Sequence, residues 1–170
     1  MKKLRLLYTP NCDRACPGCC NKDWELDKLP VFEIDFNSVR KFGEIIITGG
    51  EPMLYPIGVA YICNLIKSFN DDVKIYIYTA RTKVWNHYHE QLLKIVDGFT
   101  ITIHDQKSAD EFVETEKFLR KYSNNYKGKS MRLNVFDKCE LPYPEGYIVK
   151  DSIVWKKDCP LPTDEVFMTL

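Results

Sequence analysis

Three cysteines crowd the beginning of the chain, in Thr9-Pro10-Asn11-Cys12-Asp13-Arg14-Ala15-Cys16-Pro17-Gly18-Cys19-Cys20-Asn21. Cys12, Cys16 and Cys19 have the spacing CxxxCxxC, close enough for one loop to wrap a single metal centre. Thiolates are the usual ligands of iron–sulfur clusters, normally four per cubane. Three of them leave one iron without a protein ligand, and an open coordination site is what a metal centre needs to bind a small molecule and act on it. Pro17 and Gly18 allow the tight turn such a loop requires. The same thiols admit two other readings. A zinc site would use Cys16 and Cys19 with Cys12 or Cys20 and a distant ligand such as Cys139 or Cys159. A dithiol redox pair would use Cys16 and Cys19 alone, which leaves Cys12 without a role.

A second signal is Thr48-Gly49-Gly50-Glu51-Pro52. Paired glycines let backbone approach a ligand closely, and Glu51 offers a carboxylate to an ammonium group. Thr79 and Arg81, then Thr102, His104 and Asp105, are further polar candidates for holding a ribose, a carboxylate or substrate, His104 being either oriented by Asp105 or solvated, and Arg81 and Asp105 otherwise ordinary loop charges.

These residues fall at the ends of apolar, β-branched runs. Leu4 to Tyr8, Glu44 to Ile47, Val73 to Tyr78, Phe99 to Ile103 and Met131 to Phe136 read as strands, and Tyr147 to Lys150 with Ile153 to Trp155 as a sixth strand or an edge hairpin. Between them, Ile57 to Phe69 carries Val59, Ile62, Cys63 and Ile66 at helical spacing, and Thr82 to Val96 carries Val84, Tyr88, Leu92 and Ile95. Ser108 with Glu111 has the form of a capping box that opens a helix to about Tyr122, followed by a turn over Asn124 to Gly128. From about residue 138, Pro142, Pro144, Gly146, Pro160 and Pro162 predict an irregular surface-hugging tail.

Strand and helix alternating in this way build an α/β fold with a parallel sheet. Eight βα units need about 250 residues, so 170 residues suffice for five or six. The expectation is one domain over residues 1–170, an incomplete parallel (β/α)6 barrel, with a doubly wound sheet as the competing architecture. In a half-open barrel Arg132 and Asn134 would line the lumen; in a flat sheet they would mark an edge. In either fold the cysteine loop and the Gly-Gly-Glu segment follow successive strands, at the end of the sheet where active sites gather.

Lys plus Arg and Asp plus Glu both number 24, so no general basic field draws the chain to nucleic acid. No apolar run approaches the ~18 residues of a membrane span, and Arg5 breaks the short apolar stretch of Met1 to Tyr8, so a signal peptide is not expected. Seven cysteines, an odd number, then suit a reducing cytoplasm better than a disulfide framework. Cys63 is expected in the core. Cys20, Cys139 and Cys159 are too scattered for a second cluster, and none is expected. Trp24 either covers the cysteine loop, joins a partner surface or caps the core.

With CxxxCxxC after the first strand and Gly-Gly-Glu after the second, the sequence resembles the radical S-adenosylmethionine superfamily. The resemblance implies a 4Fe-4S cluster on Cys12, Cys16 and Cys19. It also implies S-adenosylmethionine bound at the open iron beside Gly49, Gly50, Glu51 and Pro52, with Thr79 and His104 as further contacts. It implies an external reductant such as flavodoxin or ferredoxin, and formation of a 5′-deoxyadenosyl radical that abstracts hydrogen. Cys16-Pro17-Gly18-Cys19-Cys20-Asn21 is similar to the cysteine segment of the activating enzymes of anaerobic ribonucleotide reductase, which implies a glycyl-radical protein as partner. Those enzymes commonly carry Gly-Gly-Asp where this chain has Gly-Gly-Glu. A small-molecule enzyme resembling 7-carboxy-7-deazaguanine synthase is the second expectation, and a zinc-stabilised interaction module the non-enzymatic one.

Overall fold

The computed structural model describes residues 2–83, 85, 87–121, 127–156 and 158–170, with the side chain of His87 excepted. Seven strands are found among them: β1 (Lys2–Thr9), β2 (Phe42–Gly49), β3 (Lys74–Thr79), β4 (Gly98–Ile103), β5 (Ser130–Phe136), β6 (Ile148–Ile153) and β7 (Glu165–Thr169). They form a single sheet in the order β6-β5-β4-β3-β2-β1-β7. Every pairing in it is parallel.

Strands β1 to β5 present apolar residues to one shared core. Leu4, Leu6, Ile45, Ile47, Ile75, Ile77, Phe99, Ile101 and Leu133 are buried in one core cluster. The helices α1 (Phe36–Val39), α2 (Pro56–Phe69), α3 (His87–Ile95) and α4 (Gln106–Lys121) contribute Val39, Val59, Cys63, Ile66, Leu92, Leu93, Phe112 and Leu119 to the same cluster. One layer of helices therefore covers one face of the sheet. Pro56 starts α2, where its missing N–H costs nothing. Val59, Cys63 and Ile66 face inward at four- and three-residue spacing. Cys63 is fully buried, as a core thiol should be, and burial pushes its pKa up to about 12.

The strand order runs without reversal from β1 to β6, and this excludes the doubly wound alternative, which reverses at a switch point. Arg132 and Asn134 do not mark an edge, because β5 lies between β4 and β6. In register with Thr100 and Thr102, they occupy the face opposite the helix-packed core.

Three expectations need correction. The sheet, open as an incomplete barrel must be, has seven strands and not six, β6 and β7 being its two edges. The Pro-rich segment from about 138 is not wholly irregular, since it supplies both edge strands. Of the two readings of residues 147–155, β6 is the single strand; Ser152 has φ of 51°, and the register shifts between Asn134 and Phe136, so the alternation that marks a strand is broken there. Ser108 does not cap α4. Asp105 does, its Oδ1 accepting from the Ser108 N–H at 2.7 Å, which is the N-cap pattern. The turn at Asn124 to Gly128, the end of α4 near Tyr122 and the place of Val84 involve residues outside the described set.

Candidate active site at the carboxyl end of the sheet

An all-parallel sheet brings every strand's carboxyl end to one side. The loop after β1, the turn after β2, the residues after β3 and His104 after β4 therefore share one rim.

The first two are bonded to each other. The Gly50 N–H donates to the Thr9 carbonyl at 2.7 Å and the Glu51 N–H to the Asn11 carbonyl at 2.8 Å. A Cβ on Gly49, where φ is +151°, would stand 2.4 Å from the Thr9 oxygen, and one on Gly50 would stand 2.1 Å from the Asn11 oxygen. What the two glycines accommodate is thus the backbone of the cysteine loop itself. The Asn21 side-chain amide donates to the Gly49 carbonyl at 2.9 Å and closes the arrangement from the loop's far end.

Glu51 is only 1% exposed. Its Oε1 accepts from the Met53 N–H at 2.9 Å and the Thr79 hydroxyl at 2.6 Å, and its Oε2 from the Ala80 N–H at 2.8 Å. The carboxylate expected to meet an ammonium group faces inward and ties the turn after β2 to the end of β3. Burial pushes its pKa up against the opposing pull of Thr79, Met53 and Ala80. Thr79, besides donating to Glu51, accepts from the Arg81 N–H at 2.9 Å. Pro52 begins a single 3-10 turn and is buried.

Cys12, Cys16 and Cys19 are free thiols, the first exposed and the others half-buried. Burial pushes the Cys12 and Cys16 thiols up, and the neighbouring Cys19 adds to both. A metal centre bound to thiolates displaces their protons. The Cys16 Sγ lies 3.6 Å from the His104 Nδ1. Burial and the nearby Arg14 charge lower the His104 pKa to about 4, which leaves a neutral imidazole. Asp105 does not orient that ring: its carboxylate is taken by the Ser108 N–H and hydroxyl, which hold it below the usual range.

Among the described residues no three His, Cys, Asp or Glu side chains are arranged around a point where one metal ion would sit. Three free thiols on one loop, near enough to act on one another electrostatically, are the type of donor set that a cluster takes. Cys20 and Cys159, expected as free thiols, form a disulfide with Cα atoms 5.4 Å apart. This removes both from the ligand choices of a zinc site. Cys139 packs against the core. Trp24 lies edge-on to Phe167 at 5.2 Å and so covers β7.

Beside the loop opens a cleft of about 540 Å³ lined by Arg14, Cys16, Arg81, Lys83, His104, Lys107 and Trp155 among others. Arg81 pairs with Asp13 at 2.7 Å, and Arg14 donates to the Ser108 hydroxyl at 2.9 Å. Sequence reasoning missed Arg14 and Trp155. Trp155 stacks on His104 at 4.9 Å and 29°, and its signal, a tryptophan just past the end of a strand, was hidden by the irregularity in β6.

Comparison with known proteins assigns no family: no family model matches the chain, and neither does any curated protein.

Proposed function

We propose that this chain is a radical S-adenosylmethionine enzyme built on a partial (β/α) barrel, whose likeness lies in a parallel sheet with its first six strands in sequential order and helices on one face. The observation that carries the reading is the hydrogen-bonded union of the CxxxCxxC loop with the Gly-Gly-Glu turn at the carboxyl ends of β1 and β2. Cys12, Cys16 and Cys19 would hold a 4Fe-4S cluster, giving up their protons to do so. Such a cluster supplies one electron for cleaving the sulfonium of S-adenosylmethionine to a 5′-deoxyadenosyl radical that removes hydrogen from substrate. Gly49 and Gly50 seat the strand end against the loop, and Glu51 with Thr79 fixes the wall beside it. His104 lines the cleft beside the loop, while Pro52 and Thr79 are buried. The reductant is of the flavodoxin or ferredoxin kind.

The favoured substrate is a glycyl-radical protein. Tyr76, Tyr78 and Asn134 on the helix-free face are half-exposed and Arg132 is exposed, so part of that face is open to a polypeptide.

Anaerobic reconstitution with iron and sulfide tests the reading. The expected product has about four irons per chain and a broad visible absorbance. Cys16→Ala should lose both the absorbance and reductive formation of 5′-deoxyadenosine, and Cys63→Ala, a change in the core, should keep both. A colourless protein with one tightly held zinc, or equal loss in both variants, would overturn it.

A further inference from the structure

Resting on the three-thiol reading above, we propose that His104 is a positioning residue for Cys16: through an Nδ1–H···Sγ hydrogen bond it orients that thiolate and eases reduction of a cluster held there. The two atoms are 3.6 Å apart across 88 positions of sequence. Nothing local to the cysteine loop requires this contact.

Two mutually packed aromatic rings hold the imidazole. Phe136, the last residue of β5, meets it edge-on at 4.8 Å, and Trp155, just past β6, stacks on it at 4.9 Å. Phe136 and Trp155 touch each other with ring centroids 4.2 Å apart. Three neighbouring strand ends thus deliver His104, Phe136 and Trp155 as one aromatic group. That group also grips the loop a second time, since a Cβ on Gly18 would lie 2.7 Å from Trp155. The loop is held at Cys16 by a hydrogen bond and at Gly18 by an indole, with Cys19 the next residue. Asp105, the nearest carboxylate in sequence, turns its Oδ1 to the Ser108 N–H and hydroxyl.

With Cys16 a thiol, its S–H donates to Nδ1; with Cys16 a metal-bound thiolate, the roles reverse and Nδ1–H donates. A donor aimed at a ligand sulfur favours the more negative, reduced cluster and raises its potential. Partial shielding by the two rings strengthens the effect.

The test compares reconstituted wild type, His104→Phe and His104→Asn. Phe keeps a ring for Phe136 and Trp155 to pack on and removes the donor; Asn restores an N–H near the position of Nδ1. Iron content and the potential at which the reduced cluster's electron paramagnetic resonance signal appears are measured for each. The expected result is unchanged iron in His104→Phe, with the reduced-to-oxidised ratio about tenfold lower at a fixed potential, which is ~59 mV for a one-electron couple. His104→Asn should recover part of that shift. If the Phe variant does not fold, His104→Ala against His104→Asn carries the same comparison. An unshifted potential in a fully loaded Phe variant, or equal shifts in Phe and Asn, would overturn the proposal and leave the parent reading intact. A wild-type protein that builds no cluster would overturn both.

Discussion

Glu51 shows how a residue chosen for its charge can matter for its bonds. Three donors, the Met53 and Ala80 amides and the Thr79 hydroxyl, have this carboxylate as acceptor in a place closed to water. Glu51→Ala would strand all three, and stranded buried donors cost about 1–3 kcal/mol each before relaxation. The expected loss in stability is about 2–5 kcal/mol, read from denaturant midpoints. Glu51→Gln keeps an oxygen for Met53 and Thr79 but turns an amide toward the Ala80 N–H, so its loss should be smaller, about 1–3 kcal/mol. Equal midpoints for wild type and Ala would show that the carboxylate is not seated as described. The type and spacing of the cysteines and glycines were legible in the sequence because a loop's own chemistry sets them. The inward turn of Glu51 was not, because it is decided by Thr79 and Ala80, 28 and 29 residues away. Trp155 was out of reach for the same reason, with its partners His104, Phe136 and Gly18 all on other segments.

At the scale of elements, five strands could be read from β-branched runs, since a strand between two others declares itself by apolar residues on the face beneath the helices. β7 did not. Its five residues follow two prolines, and Glu165 within it reads as solvent-facing. The pairing with β1 makes it a strand, and Arg5 then meets Glu165 at 2.7 Å across that pairing. At the other end of the sheet a single side chain joins elements. Asp97 accepts from the Ile75 N–H at 2.9 Å and from Lys74 at 3.0 Å, lies 3.4 Å from Lys67 of α2, and through its carbonyl accepts the Ser130 N–H. Burial pushes its carboxyl up, but the Ile75 amide, Lys74 and Lys67 together hold it below the usual range. A carboxyl lowered in the folded state contributes stability above its unfolded pKa and loses it as pH falls through its folded value. Asp97→Asn should therefore cost about 1–2 kcal/mol near neutrality, a value reduced for partial exposure. The gap from wild type should close on acidification below the ordinary carboxylate range. Urea melts of the two proteins across that range check it, and a gap that widens in acid would contradict the role given to Asp97.

Over the whole molecule, the Cys20–Cys159 link reaches furthest. The chain leaves β6 at one edge of the sheet and must return to β7 at the other, and the connection between them carries both Trp155 and Cys159. Pro162 and Asp164 on that connection line a cleft with Tyr76, Tyr78 and Arg132, so it passes over part of the helix-free face. Joining Cys159 to Cys20, directly after the last of the three CxxxCxxC thiols, fastens this return to the cysteine loop across 139 residues of sequence. Composition alone pointed to seven reduced thiols, because cysteine parity and spacing say nothing of which side chains a fold brings together. A cross-link over so long a segment restricts the unfolded chain by about 5 kcal/mol in the chain-entropy account, of which 2–4 is the usual yield. Cys159→Ser should therefore lower the melting temperature without reductant by roughly 5–15 °C at ~2–4 °C per kcal/mol. Excess reductant should bring wild type down to the variant and leave the variant where it was. Thiol titration of the native and of the unfolded, unreduced protein should find five reactive groups on unfolding, the remaining two of seven being joined. Seven reactive thiols, with a melting temperature indifferent to reductant, would mean that the return from β6 to β7 is held by packing alone.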